Sequence, residues 1–210
     1  MSAAAPSSYM AELFPERIET DRLELDALTP DAVPVFEFYE HVREGAPDID
    51  EVTEHLTWSP HRTPKETREF YDHVASQREA DEAQTYAIRP KAGEDGAGEF
   101  AGVTGIDVDW DARTAEFGVW FRKPFWGRGY SGERAGALME MAFERLDLDA
   151  VVVTVQRGNE ESRTAVSRYV EVHGGRHEGL LRNFVTNQDG TAVDAHRYTV
   201  TAAEYRDATE

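Results

Sequence analysis

Glycines at 127, 129 and 132 stand between a stretch that reads as a strand, 114–122 (TAEFGVWFR), and a run with helical periodicity. That junction limits the fold more than any other feature of the chain. Glycines ahead of a helix leave successive backbone N–H groups uncovered, at the end where the helix dipole favours an anion. The spacing Gly127-x-Gly129-x-x-Gly132 matches a dinucleotide fingerprint. That fingerprint, however, needs a parallel strand running straight into the helix and an acidic residue about 20 positions on, at the end of the next strand. Here Lys123-Pro124-Phe125-Trp126 intervenes, and the next strand, 151–155, ends in Gln156-Arg157. A P-loop is excluded because no Gly-Lys-Ser/Thr ending follows. Two readings remain: a tight turn that lets the helix pack closely, and a cradle for a pyrophosphate to which Arg128 adds charge.

The flanking pattern sets the architecture. Residues 17–27 (RIETDRLELDA) alternate around Leu23 and Leu25 as a strand. Thr29 and Pro30 read as N-cap and first helical residue, with Val33, Phe36, Tyr39 and Val42 following at helical spacing. Thr63-Pro64-Lys65-Glu66 is a capping box that leads a second helix through Phe70, Tyr71 and Val74. Residues 84–89, 100–110 and 114–122 then form an antiparallel meander, joined by KAGEDGAG and WDAR. After the glycines, Ala135, Leu138, Met139, Ala142, Phe143 and Leu146 make one apolar helical face. The valines of 151–155 suit a strand buried on both sides. Asn159 caps a helix that Gly174 ends, and LLRNFVTNQDGTAVDAHRYTV reads as a hairpin turning at Asp189-Gly190.

Composition excludes whole classes of chemistry. The absence of cysteine removes disulfides, thiolate metal sites and a cysteine nucleophile. The seven histidines show no metal spacing, so no metal is expected, and His173, His177 and His196 read as surface or satisfied core groups. No run is apolar enough to span a bilayer, and the start MSAAAPSSYMAELFPER lacks a basic flank and an apolar stretch, so a cytoplasmic protein without membrane contact is expected. The net charge of −19 repels phosphate backbones, which disfavours nucleic acid as a partner. Lys65, Lys91 and Lys123 are the only lysines. Acid excess with so little lysine is similar to the proteins of salt-accumulating halophiles, where molar salt shortens the screening length to about 3 Å.

The segment EFGVWFRKPFWGRGYSGERAGALMEMAFERL, followed by VVVTVQRGNEESR, resembles the GNAT N-acetyltransferases, and within them the RimJ/RimL group that acetylates protein N-termini. IETDRLELDALT and RHEGLLRN are similar to that group too, so the likeness spans about residues 16–206. It implies a single α/β domain over 16–206 behind a flexible tail, 1–15. The sheet would be mixed and mainly antiparallel, with helices on both faces and a strand splay holding acetyl-CoA. The family loop Arg/Gln-x-x-Gly-x-Gly/Ala is matched by Gly127 and Gly129, with Pro124 in its first position, where Lys123 or Arg128 would substitute. The resemblance assigns the cofactor to Trp120, Phe121, Arg122, Trp126, Gly127, Arg128, Gly129, Tyr130, Ser131, Gly132 and Asn159. Glu116 falls where several relatives carry a general base; ion pairing with Arg113 is the competing role. Ser162 falls near the sulfur, where a hydroxyl can serve the departing thiolate. Val166 occupies the place of the tyrosine many relatives use as an acid, so Tyr169 is not assigned that role. Val172-His173-Gly174-Gly175 ends the helix one turn late.

The implied reaction is direct attack of a primary amine on acetyl-CoA in a ternary complex. The acceptor is a protein α-amino group, with a polyamine or an aminoglycoside as the alternative, and a homodimer is compatible. A non-catalytic acetyl-CoA-binding module would keep the loop but not need Glu116.

Overall fold

The computed structural model describes residues 12–209. An eight-stranded sheet runs in the order β1-β2-β3-β4-β5-β6-β8-β7. The strands are β1 (Arg17–Glu19), β2 (Leu23–Ala27), β3 (Ala83–Pro90), β4 (Gly102–Asp109), β5 (Thr114–Phe121), β6 (Ala150–Gln156), β7 (Arg176–Thr186) and β8 (Ala192–Thr201). Every neighbouring pair is antiparallel except β5 and β6. Helices α1 (Val35–Val42), α2 (Ile49–Thr53) and α3 (Pro64–Glu79) precede the meander. After it come α4 (Tyr130–Glu140), α5 (Glu160–Val172) and α6 (Ala202–Thr209).

Two apolar clusters lie on opposite faces of the sheet. The larger joins Phe117, Tyr130, Leu138, Val153, Val166 and Tyr169 under α4 and α5. The smaller joins Phe38, Tyr71, Val74, Phe100 and Val103 under α1 and α3, with Trp58 and Trp120 packed against it. Alternation along β5 therefore sends Phe117, Val119 and Phe121 to the α4–α5 face, and Glu116, Gly118 and Trp120 to the α1–α3 face.

The expected mixed sheet with helices on both faces is the observed one, with local departures. The strand expected over 17–27 is a hairpin, because Thr20 N–H donates to Leu23 O at 3.0 Å and reverses the chain. Helix α1 starts at Val35 instead of Pro30. Thr29 caps only a turn, accepting Ala32 N–H on its hydroxyl at 3.2 Å and Val33 N–H on its carbonyl at 2.9 Å. Pro34, which would lie inside the expected helix, has no N–H to continue it. Helix α3 does begin at Pro64, yet the Thr63 hydroxyl makes no cap bond, and the Glu66 carboxylate takes Arg62 N–H at 2.7 Å instead. Phe14, within the expected tail, is 2% exposed and belongs to the larger core, while residues 1–11 of that tail lie outside the described residues. Helix α4 continues through a π-helical turn, Met141–Arg145. Among the described residues no helix is long and apolar enough to cross a membrane, and no cluster of groups suits a metal ion.

Candidate active site

The site begins where the sheet parts. β5 and β6 pair only through Thr114↔Ala150, Ala115↔Val151 and Glu116↔Val152. Beyond that point β5 pairs with β4 alone and β6 with β8 alone. Arg113 O accepts Asp149 N–H toward β6, and Arg122 N–H donates to Ala101 O toward β4, both at 2.8 Å. Since backbone groups alternate in direction along a strand, the N–H and C=O of Phe117, Val119 and Phe121 face the gap. The expected assignment of Trp120 and Arg122 to a ligand's backbone contacts therefore shifts. The backbone groups of Trp120 and the N–H of Arg122 turn to β4, the Arg122 carbonyl accepts Phe125 N–H at 3.0 Å, and Phe121 alone of that trio faces the opening. The Trp126 indole N–H already donates to Phe121 O at 2.8 Å and so ties the loop to the rim of the gap.

Above the gap, Lys123–Phe125 forms a short 3-10 turn, and Gly127 and Gly129 adopt positive φ of 72° and 79°. A Cβ on Gly127 would meet no heavy atom within 4 Å, so the glycine is not there for internal packing. Among the described residues, the N–H groups of 127, 128, 129, 130 and 131 find no carbonyl or side-chain acceptor. Five consecutive free donors at a helix N-terminus suit an anion of pyrophosphate type. Gly132 does not join them, since its N–H donates to Gly129 O at 3.2 Å and a Cβ there would touch Tyr169 Cβ at 3.6 Å. It is the point where α4 and α5 approach each other.

A clamp of side chains holds this loop. Glu133, in the first turn of α4, accepts Thr20 Oγ1–H at 2.6 Å, Arg22 N–H at 2.7 Å and Arg22 Nε–H at 2.7 Å. Burial pushes its carboxyl up, but the bonds from Thr20 and Arg22 outweigh burial and hold it below the usual carboxylate range. Arg22 also donates to Arg128 O at 3.0 Å and lies over the Tyr130 ring. Arg128 itself folds back, donating to Asp95 O at 2.6 Å, and Lys123 pairs with Glu51 and Asp48. Tyr130, almost wholly buried, donates to Glu94 at 2.7 Å. Neither of the expected substitutes for the loop's first side chain points freely at the cradle, whereas Arg22, which sequence reasoning did not single out, lies beside Gly129.

On the other face, Glu116 is exposed and sits across from Asp107 in the ladder. Arg113 does not pair with it, being held by Asp149 at 2.9 Å and Asp147 at 3.2 Å. Burial, and then the nearby charge of Glu116, push the Asp107 carboxyl up. Trp58 leans on Trp120 at 5.5 Å, and burial pulls both His41 and His61 down toward the neutral form. Segment 49–61 crosses the top of the gap. Gln188 from the β7–β8 hairpin donates to Thr53 O at 2.7 Å, and a Cβ on Gly158 would reach His55. Between that segment and the hairpin lies a cleft whose lining includes Asp50, Glu54 and Asp189. At the head of α5, Asn159 Oδ1 accepts Ser162 N–H at 3.0 Å, so the asparagine is a helix cap, and Ser162 is half-buried beside it.

A parted parallel pair, a free-amide loop at its mouth and a carboxylate on the opposite face define a class of acyl-transfer fold. Residues 22–169 match the model of the acetyltransferase (GNAT) domain, and the chain belongs to that family. It is an acyltransferase of the GNAT type. Over 78 residues it is 35% identical to a Bacillus subtilis (strain 168) protein provisionally named ribosomal N-acetyltransferase YdaF, a match that spans 37% of this chain and 43% of that one. Its fold superposes with a TM-score of 0.76 on the microcin C7 self-immunity acetyltransferase MccE, solved with acetyl-CoA and AMP, at 18% identity over 91% of this chain and 99% of that one. RimL, the ribosomal L7/L12 α-N-protein acetyltransferase solved with coenzyme A, gives 0.73 at 22% identity over 89% and 98% of the two chains.

Proposed function

We propose that this protein transfers an acetyl group from acetyl-CoA to a primary amine, and that the amine is a protein N-terminal α-amino group. The observation that carries the reading is the run of five free amides, 127–131, above the gap where β5 and β6 part. Residues 127–131 would hold the pyrophosphate, and the gap-facing backbone of Val119 and Phe121 the pantetheine arm. Asn159 has its amide N–H₂ available beside the same gap, and Ser162 offers a hydroxyl there. The coenzyme supplies an activated thioester, and a GNAT neighbour solved with acetyl-CoA supports that donor.

Glu116, on the far face, receives the amine's proton, directly or through a water, before attack. An ammonium cannot be a nucleophile, and an α-amino group of pKa about 8 is mostly protonated at neutral pH. Holding donor and acceptor on opposite sides of one opening supplies rate through proximity. The carboxylates of Asp50, Glu54 and Asp189 favour a cationic acceptor. A polyamine would use the same carboxylates, and acetylation of a short peptide in preference to spermidine separates the two. The acidic, lysine-poor composition fits a cytoplasm rich in salt, so the protein is to be assayed in molar salt.

Calorimetric titration tests the donor. Acetyl-CoA is expected to bind saturably and the reduced nicotinamide dinucleotides not at all; folded protein that ignores acetyl-CoA would overturn the reading. Glu133→Gln, which weakens the charged bonds of Arg22 to the loop, is expected to reduce acetyl-CoA affinity about tenfold, equivalent to ~1.4 kcal/mol. The far-ultraviolet spectrum should stay unchanged.

A further inference from the structure

Arg134, one turn into α4, is 0% exposed, and no carboxylate among the described residues reaches it. Its one side-chain hydrogen bond is a long 3.3 Å contact to Thr104 Oγ1, and its Nε–H has no acceptor. The guanidinium lies 6.0 Å from the centre of the Phe117 ring and 5.7 Å from that of Tyr169. Tyr169 is buried too, and its hydroxyl has no hydrogen-bond partner. Burial pushes that hydroxyl up, and the charge of the nearby guanidinium pulls it back. An unpaired buried cation is costly to desolvate, and a bystander position would hold a leucine or a methionine at lower cost.

The place of this charge gives it a use. Phe117 is the first residue of β5 beyond the last β5–β6 pair, so Arg134 and Tyr169 lie under the apex of the gap. From the cradle side, residues 117–121 give the gap a depth of about 13 Å at the usual rise per residue. An arm that hangs from residues 127–131 and runs down the gap ends at that apex, and the end of a coenzyme A arm is its sulfur. As the amine nitrogen bonds to the carbonyl carbon, the C–S bond breaks and its electron pair stays on sulfur. The amine proton passes to the base on the far face. The group left at the apex is thus an anion in a desolvated place facing an unpaired cation.

We propose that Arg134, with the Tyr169 hydroxyl beside it, is the counter-charge for the coenzyme A thiolate. This rests on the acetyl-CoA reading above. A fixed charge in a water-poor site acts strongly on charge that develops during reaction and needs no reorganisation.

The test uses coenzyme A alone, bound to the whole protein, with no acceptor. The chain has no cysteine, so the thiolate absorbance of the complex belongs to the coenzyme. A pH titration of that absorbance is run against the S-methyl thioether of coenzyme A as blank. The bound thiol is expected to ionise at least one pH unit below free coenzyme A, a tenfold gain in thiolate at fixed pH. Arg134→Met should return it to the free value, and Tyr169→Phe should return part of the shift. Bound coenzyme A that titrates like the free thiol, or a shift that survives Arg134→Met, would overturn the proposal and leave the acetyl-CoA reading standing. Absence of any coenzyme A binding would remove both. If Arg134→Met does not fold, the wild-type titration and Tyr169→Phe decide.

Discussion

Glu116→Gln is expected to lower kcat at neutral pH by about 10²–10⁴-fold while acetyl-CoA affinity stays within a factor of two. The two readouts separate because Glu116 and the cradle lie on opposite faces of the sheet. Glutamine keeps the side chain's size and polarity but cannot take a proton. Glu116 has no ion pair among the described residues, so the change breaks no structural contact. The remaining activity should climb as pH rises toward the acceptor's own pKa, because the free amine then forms without a base. The deficit of the variant therefore shrinks with pH, and steady-state rates on a peptide acceptor from pH 6 to 10 would show it. If turnover is unchanged, the proton goes elsewhere. The first alternative is Asp107, whose carboxyl burial and Glu116 push up from its ordinary range. In that case Asp107→Asn should show the deficit instead.

The elements with a strong single period were legible in the sequence. The valine run of β6, the apolar face of α4 and the capped start of α5 all appear where the pattern puts them. Elements defined by contacts were not. Helix α2 is five residues long and carries two acidic residues in its first turn, too short for a period to register. Helix α6 is mostly polar and is held by a few contacts, such as Tyr205 on Phe143 at 4.9 Å. At the start of helix α1, Thr29-Pro30 is good cap chemistry and points to an earlier boundary, while the competing signal, Pro34, lies inside the apolar spacing. Local propensity proposed a boundary there, and a missing N–H five residues later moved it.

At the site, the glycines named the loop but not what holds it. Arg22 and Glu133 are 111 positions apart, and each is unremarkable in its own window. Only the fold brings the β1–β2 turn onto the first turn of α4. Gly132 shows the reverse case, a residue that completes a motif in sequence yet serves helix packing in space. Trp120 and Arg122 show a third limit. Which backbone groups face the gap depends on which strand β5 pairs with, and the sequence of β5 does not contain that. Arg134 sits among apolar positions of α4, where a sequence pattern reads an arginine as an interruption at the surface. The structure buries it completely, and the cost of that burial is what makes it informative.

Gly175→Ala is expected to remove about 4 kcal/mol or more of unfolding free energy, read as a lower denaturation midpoint at unchanged slope. The chain leaves α5 through Gly174, at φ 80°, and Gly175, whose N–H donates to Val170 O at 2.9 Å. A Cβ on Gly175 would stand 2.4 Å from Thr199 O and 2.6 Å from Val200 Cγ2. Neither neighbour can yield cheaply. Thr199 lies between two strands, paired with Val152 on one side and Arg176 on the other, and Val200 is fully buried. Relief would require α5 to lift from β8, which would draw Tyr169 away from Arg134 and shift Asn159 and Ser162 at the other end of the helix. The later helix end and its paired glycines therefore set the height of α5 over the gap. A loss below 1 kcal/mol would mean that α5 rides on β8 loosely enough to move. The alanine variant should then keep its stability and show altered coenzyme affinity instead.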